Sequence, residues 1–319
     1  MMKALVYRRF GAADVLEWVD DWPYPELSGD TVLVETVAGS VNPKDVLMRT
    51  GKFRRTLARD PLPRASGLDV SGRVVAVGER VSGFSVGDAV FGMTNHFSGG
   101  VHVEVARFQQ GEIQHAPENV SLEAASAVPL AAQTALQALR DCCAVTKGQR
   151  VLINGASGGV GHFAVQIARA MGLETHAVCG PSNVDFVKSL GADAVYDYTN
   201  TPAVEVRSRF DAVFDVFGKF TGSMFSDQLE RGGVYVSTVP KIPTLGGELV
   251  ARLGVKTSSR LVQVQSNSQD LLQIKTWIEQ GLLQPHVQRS FPVEDAAQAH
   301  RQIESKRTVG KVCIALGAA

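Results

Sequence analysis

Val151-Leu152-Ile153-Asn154-Gly155-Ala156-Ser157-Gly158-Gly159-Val160-Gly161 decides how the chain is read. Three apolar residues with strand character run into a turn where Gly155, Gly158, Gly159 and Gly161 crowd together, and helical period follows. Glycine in such a turn removes Cβ atoms where backbone must bend sharply or touch a ligand. Val160, Ala164, Ile167, Ala168 and Met171 fall on one helical face, His162, Gln166 and Arg169 point elsewhere, and Gly172 supplies a left-handed stop. The first N–H groups of a helix lack intrahelical partners and carry the positive end of its dipole, so a phosphate suits them. Ala156-x-Gly158-x-x-Gly161 is a dinucleotide fingerprint with alanine in its first place, and between strand and helix it marks the seat of a pyrophosphate.

The bounds around this turn are plain. With 319 residues the chain can build two cores, and at 45% hydrophobic and 20% charged it has an ordinary globular composition. Its 32 basic and 32 acidic residues cancel, leaving no basic excess for a nucleic-acid partner. No apolar run has signal-peptide or membrane-spanning length, so no membrane partner and a cytoplasmic location are expected. Cys142, Cys143, Cys179 and Cys313 form no CxxC, and read as reduced, packed thiols.

On either side the text changes character. Before about Leu122 it is β-like, with candidate strands at Lys3 to Tyr7, Thr31 to Val37, Val74 to Val77, Ala89 to Phe91 and Val101 to Val105. Leu122 to Leu139 reads as two helices meeting near Pro129. Strands and helices then alternate: Val151 to Asn154, Thr175 to Cys179, Ala194 to Tyr196, Phe210 to Val216, Val234 to Val239 and Arg260 to Gln265, with helices near Asn183 to Leu190 and Met224 to Leu229. That is the pattern of a doubly wound parallel sheet. A helix at Leu271 to Gln280, a strand at His286 to Phe291, a helix at Ala296 to Glu304 and a strand at Lys311 to Leu316 are expected to return to the first domain. The expected division is 1–124 with 267–319, a β-rich barrel, and 125–266, the dinucleotide-binding domain of an α/β fold.

The residues now on the page resemble a known family over nearly the whole chain. Val41-Asn42-Pro43-x-Asp45-x-x-x-Arg49-x-Gly51, Gly67-x-Asp69-x-x-Gly72 with Val77-Gly78, and Phe84-x-x-Gly87-Asp88-x-Val90 are its first pieces. Pro129 with Thr134-Ala135, the glycine turn with Gln166, Leu190-Gly191-Ala192-Asp193, Asp197-Tyr198, Gly232-Gly233 and Gly310-Lys311 complete it. Together they are similar to the medium-chain dehydrogenase/reductase superfamily, in its zinc-free quinone oxidoreductase branch. The resemblance implies a GroES-like catalytic domain split around a Rossmann domain, NADPH as hydride donor, a homodimer, and a small quinone or enone as substrate. Zinc-dependent relatives carry cysteine where this chain has Ser40 to Asn42, and a His-Glu pair where it has Leu68-Asp69. His96, His102 and Glu104 are the nearest rival metal cluster, with a solvated strand edge the preferred reading of His102 and Glu104.

The second strand of the fingerprint ends Val178-Cys179-Gly180-Pro181-Ser182-Asn183, without the acid that bonds both ribose hydroxyls in NAD sites. A 2′-phosphate is therefore admitted, with Ser182 and Asn183 as donors, though Ser182 with Asp185 also reads as a helix-capping pair. Lys188, Lys306 or Arg307 would balance its charge. The resemblance places the pyrophosphate on Ser157, Gly158, Gly159, Val160 and Gly161, and the adenosine half near Gly180 and Tyr198. It lays the remainder of the cofactor along Asn42, Pro129, Thr134, Phe217, Thr238, Val239, Val264 and Gln265.

For catalysis, hydride transfer to a conjugated carbon leaves negative charge on an oxygen, which needs a donor. Asn42 is the candidate to orient the nicotinamide or the oxyanion, with a plain turn role before Pro43 as the alternative. Lys44 is the candidate proton donor, or else a solvated side chain. Relatives often carry tyrosine where Phe53 and Val101 stand, so water is a further proton source. The favoured activity is reduction of quinones or α,β-unsaturated carbonyls. An enoyl-thioester reductase and a non-catalytic NADPH-binding protein are the alternatives.

Overall fold

The computed structural model describes residues 1–56, 58, 60–252 and 259–317. The chain divides into two compact units, one made of Met1–Leu130, Gln265–Glu279 and Pro285–Ala319, the other of Ala131–Val264 and Gln280–Gln284.

The first unit begins with β1 (Met2–Tyr7), β2 (Leu16–Trp22), β3 (Thr31–Ser40), α1 (Pro43–Arg49), β4 (Arg64–Ala65), β5 (Asp69–Val77), β6 (Ala89–Met93), β7 (Val105–Gln109), β8 (Ile113–His115) and α2 (Leu122–Ser126). The long strand β3, TVLVETVAGS, is buried at every position but Glu35, which is what a strand packed on both faces requires. Along one edge it pairs antiparallel with β5; along the other, Thr31 to Glu35 pair with β7. The apolar core is built largely from valines of these strands, including Val32, Val34, Val70, Val74 and Val90.

The second unit follows with α3 (Pro129–Gln137, whose first two residues belong to the first unit), β9 (Arg150–Asn154), α4 (Gly161–Ala170), β10 (Glu174–Cys179), α5 (Val184–Ser189), β11 (Ala194–Asp197), β12 (Phe210–Asp215), β13 (Leu229–Ser237), α6 (Ile242–Arg252) and β14 (Ser259–Leu261). Its six strands lie in the order β11-β10-β9-β12-β13-β14, and every pairing is parallel. The order reverses between β9 and β12, so the crevice outside the carboxyl ends of these strands is where such folds bind ligands.

The chain then returns to the first unit through α7 (Ser268–Glu279), β15 (Val287–Pro292), α8 (Ala296–Glu304) and β16 (Lys311–Ala315). Strand β16 pairs parallel with β15 and antiparallel with β3, placing Cys313 opposite Ser40. One seven-stranded sheet thus contains both the early strands and the late ones.

Several expectations are corrected. The strand expected at Val101 to Val105 begins only at Val105; the preceding residues reach β1 through an isolated bridge between Val103 and Ala4. The positive φ of both Gly99 and Gly100 turns the backbone out of strand geometry there. The helix expected near Met224 to Leu229 is a single 3-10 turn at Gly222–Phe225, after which β13 starts at Leu229. Strand β2 was not expected, because LEWVDDW carries three acids and reads as loop. All four cysteines are free, and burial pushes the Cys179 thiol up to about 11 and Cys313 to about 12.

Candidate active site

In the second unit the glycine turn takes the form its residues dictate. Gly155 sits at φ +86, and its N–H and that of Ala156 both donate to Val178 O at 3.0 Å, tying the turn to β10. A Cβ at Gly161 would run into Gly155 O and the Ala156 backbone, so only glycine lets α4 start this close to β9. At Gly158 the nearest atom to a built Cβ is Gly155 O at 3.4 Å, and the other side is open. α4 opens there at Gly161 with Val160 at its cap, and the start of a helix is the arrangement that receives a phosphate. The helix itself departs from the expected single apolar face. Gly161 through Ala168 are all buried, His162 and Gln166 included. His162 Nδ1 lies 3.1 Å from Gly158 O, and Gln166 bonds the backbone of Gln284 twice, donating to its oxygen at 3.1 Å and accepting its N–H at 2.8 Å.

Beyond β10 the chain runs through Gly180 into a 3-10 turn, Pro181–Asn183, and α5 begins at Val184 with Asn183 at its cap. The expected Ser182–Asp185 capping pair is not formed. Asp185 instead lies 3.9 Å from Lys188, and Asn183 Nδ2 donates to Ser157 Oγ at 3.1 Å. That bond brings together Ser157 from the glycine turn and Asn183 from the turn after β10. Tyr198, half exposed, packs against Gly180. Phe217, also exposed, stands over Gly155. Thr238 Oγ1 donates to Val216 O at 2.8 Å, and Val239 N–H to Ser237 Oγ at 3.1 Å, so these two are held by the ends of β12 and β13. Thr134 is buried on α3, and Val264 is half-buried.

A residue that sequence reasoning missed governs this end of the sheet. Asp215, the last residue of β12, is fully buried and accepts four hydrogen bonds: from Asn154 Nδ2 at 2.8 Å, Gly218 N–H at 2.9 Å, Phe220 N–H at 3.0 Å and Tyr235 OH at 2.9 Å. It thereby shapes the loop that carries Phe217. Burial, together with this carboxylate, pushes the Tyr235 phenol well above its ordinary value. The signal available in the sequence was an acid at the end of an apolar strand followed by glycine, Phe214-Asp215-Val216-Phe217-Gly218.

In the first unit, Asn42 and Lys44 sit at the start of α1. Asp45 Oδ2 accepts the Asn42 N–H at 2.7 Å, and Pro43 fits the first helical position because its missing N–H would be unpaired there. Arg49, wholly buried, fixes the other end by donating to Gly11 O at 2.6 Å and to Glu304. The Asn42 amide is spent inside the unit. Its Oδ1 accepts from Lys311 Nζ at 2.5 Å, and its Nδ2 donates to Asp69 Oδ1 at 3.1 Å and Ser40 O at 3.2 Å. Ser40 Oγ adds a bond to Asp69 Oδ1 at 2.7 Å, and Leu130 N–H reaches Asp69 Oδ2 at 3.3 Å. Burial raises both carboxyls: Asp45 goes to about 7, with Asp69 raising it further and the Asn42 N–H, Lys311 and Lys44 opposing; Asp69 also goes up, with Lys311 opposing.

Lys44 is not a fully solvated side chain. Its Nζ lies 4.3 Å from the centre of the Phe97 ring, and Phe97 meets Phe53 edge-on at 5.3 Å. Burial lowers its proton affinity, and Asp45 partly restores it. His102 is corrected too: far from a solvated edge, it is fully buried, its ring filling the space left by the missing Cβ atoms of Gly39 and Gly67. Burial holds its proton affinity down to about 4. Lys306 stands at the end of α8 in the left-handed region, φ +57, exposed; Pro129 opens α3. Among the described residues, no three His, Cys, Asp or Glu side chains converge as metal ligands.

Comparison with known proteins bears on all of this. A family model described as an alcohol dehydrogenase GroES-like domain matches residues 28–168, and one described as a zinc-binding dehydrogenase matches residues 190–314. The tomato (Solanum lycopersicum) 2-methylene-furan-3-one reductase is 31% identical over 98% of this chain and 79% of its own length. The Arabidopsis thaliana chloroplastic NADPH-dependent alkenal/one oxidoreductase gives the same identity and coverage. Among solved structures, the quinone oxidoreductase from Coxiella burnetii superposes with a TM-score of 0.88 at 30% identity, covering 98% of this chain and 99% of that one. With the six-stranded parallel sheet, the glycine turn and the split first unit, these relatives establish that the chain belongs to the medium-chain dehydrogenase/reductase superfamily, in its quinone oxidoreductase branch.

Proposed function

We propose that this protein is an NADPH-dependent reductase of quinones or α,β-unsaturated carbonyl compounds that works without zinc. The observation that carries the reading is the combination of a dinucleotide turn with a buried Asn42–Lys311–Asp69 cluster where zinc-dependent relatives keep metal ligands. Zinc wants thiolate, imidazole or carboxylate donors converging on one point. Here Ser40, Asn42 and Asp69 point their donors and acceptors at one another, and an ammonium holds the amide oxygen, so the residues do not fit the metal.

The second unit fits NADPH. Gly158 to Gly161 would take the pyrophosphate, and Gly180 and Tyr198 would flank the adenosine. The turn after β10 carries Asn183 and Ser182 for a 2′-phosphate, with no acid among Gly180 to Asn183. Lys188, exposed on α5, is the further cation of this unit that we assign to that phosphate. Phe217, Thr238, Val239, Val264 and Thr134 would line the rest of the cofactor within this unit. When bound, NADPH supplies the hydride.

The chain's own residues then do two things. Lys44, held partly out of water against Phe97, delivers the proton that completes the reduction, since its lowered proton affinity makes transfer easier than from a solvated lysine. Phe53 and Phe97 offer apolar faces to a flat conjugated acceptor and no hydroxyl of their own. Substrates already activated by conjugation suit a site that polarises with hydrogen bonds alone.

The test is NADPH oxidation by purified protein against a panel of 1,4-quinones, enones and an unsaturated acyl-thioester. Turnover with either class is expected; turnover confined to acyl-thioesters, or silence across the panel, overturns the reading. We further place the protein in the cytoplasm as a homodimer, which light scattering of the purified protein checks for oligomeric state. No described helix is long and apolar enough to cross a membrane.

A further inference from the structure

Lys311 is an unusual lysine. It is 3% exposed, 269 positions away from the residue it bonds, and it opens the strand β16, which lies between β15 and β3 in the seven-stranded sheet. Its backbone is fixed independently of its side chain: Lys311 N–H donates to His286 O at 2.8 Å, and the next residue's carbonyl, Val312 O, accepts Val41 N–H at 3.0 Å. The ammonium is therefore delivered to the Val41–Asn42–Pro43 turn by strand pairing. An ammonium has donors only and a carboxylate acceptors only. With Lys311 on one side and Asp69 on the other, the Asn42 amide has a single orientation that satisfies both, oxygen to Lys311 and nitrogen to Asp69.

From this we infer that Lys311 is a positioning residue of the reductase: by claiming Asn42 Oδ1 it fixes the side chain at the cap of α1, and through it the first turn that presents Lys44. The inference rests on the reading of Lys44 as proton source. Lys311 itself is too deeply buried to meet an acceptor, and its work is done through Asn42. A lysine that merely neutralises Asp69 would give the same fold with a different dependence on Asp69, and that difference can be measured.

The experiment compares Lys311→Met with the double variant Lys311→Met/Asp69→Asn. Lys311→Met strands a buried carboxylate, so its melting temperature drops; Asp69→Asn removes that charge while keeping an oxygen for Ser40 and Asn42, so the double variant recovers most of it. Positioning requires that kcat stay at least tenfold below wild type in the double variant despite the recovered melting temperature. NADPH affinity, measured by nucleotide fluorescence without acceptor, is expected to fall by less than kcat does. If kcat returns along with stability, Lys311 is only a counter-ion and the inference is wrong. A second readout does not depend on turnover: the Asn42 side-chain amide, followed by NMR, is expected to exchange slowly with solvent in the wild type and at least tenfold faster in both variants. Unchanged exchange would overturn the inference, and a wild type that turns over no acceptor would sink the reductase reading while leaving this arm to decide.

Discussion

Replacing Asp215 by alanine tests the account of the cofactor unit most directly. The carboxylate accepts from Asn154 Nδ2, Gly218 N–H, Phe220 N–H and Tyr235 OH, all inside the protein. Tyr235 has a second acceptor, Phe220 O at 2.8 Å, so its hydroxyl is not stranded. Three donors are. At roughly 1–3 kcal/mol for each buried group left without a partner, and allowing for relaxation, the loss is about 4 kcal/mol, at the upper end for point changes. For a unit of this size that corresponds to a melting temperature lower by roughly 10–20 °C. Trp18, Trp22 and Trp277, the only tryptophans in the chain, all lie in the other unit, so tryptophan fluorescence is the wrong probe. Far-UV circular dichroism or calorimetry reads the change, and NADPH affinity should fall about tenfold as the Phe217 loop loosens. A loss below about 1 kcal/mol would refute the reasoning, since the three donors would then have found other acceptors.

Other expectations follow from the same geometry. Gly161→Ala drives a Cβ into Gly155 O, so about 1–3 kcal/mol of stability and most NADPH binding should go, as thermal melts with and without cofactor would reveal. Lys44→Met should lower kcat by about 10²-fold with NADPH affinity intact; an unchanged kcat would hand the proton step to water. The buried titrating groups act with opposite signs. Asp45 is raised from 3.8 to about 7, so it favours the folded state below pH 4 and that contribution drains away as pH rises towards 7, by up to about 4 kcal/mol. His102 and His300 are lowered to about 4 and about 3, so their contribution is complete above pH 6.5 and lost as pH falls. Asp45→Asn, which removes only the first effect, should therefore show a steeper acid decline than wild type between pH 6.5 and 4. Parallel unfolding curves for the two proteins would contradict this.

The parallel sheet and its turn were legible because they depend on local chemistry. Apolar strands of four to six residues, a glycine cluster and a helical period say the same thing at once. The pieces that escaped are those whose partners lie far off in sequence. Strand β2 looks like loop until β1 is beside it, with Trp18 opposite Leu5 and Glu17 opposite Val6. His102 looks solvated until Gly39 and Gly67 make room for its ring. Lys311 stood out only as half of a Gly-Lys pair, because nothing in a sequence says that a lysine will spend its charge inside the protein. Lys44 reads as part of a loop in the sequence, whereas it stands in the first turn of α1, and its ring partner Phe97 comes from the loop after β6, which no period argument reaches.

The route of the chain sets a timetable. A ribosome releases Asn42 long before Lys311, and contacts of such sequence separation form late. The second unit, apart from the short excursion Gln280–Gln284, has been made by Val264, while the first still lacks β15, α8 and β16. Until Lys311 arrives, Asn42 and Asp69 lack its ammonium, and β3 has only β5 beside it at Ser40. The Lys311–Asn42 bond thus ties the start of α1 to a strand made 269 residues later, and the core of the first unit cannot be finished before that strand is made.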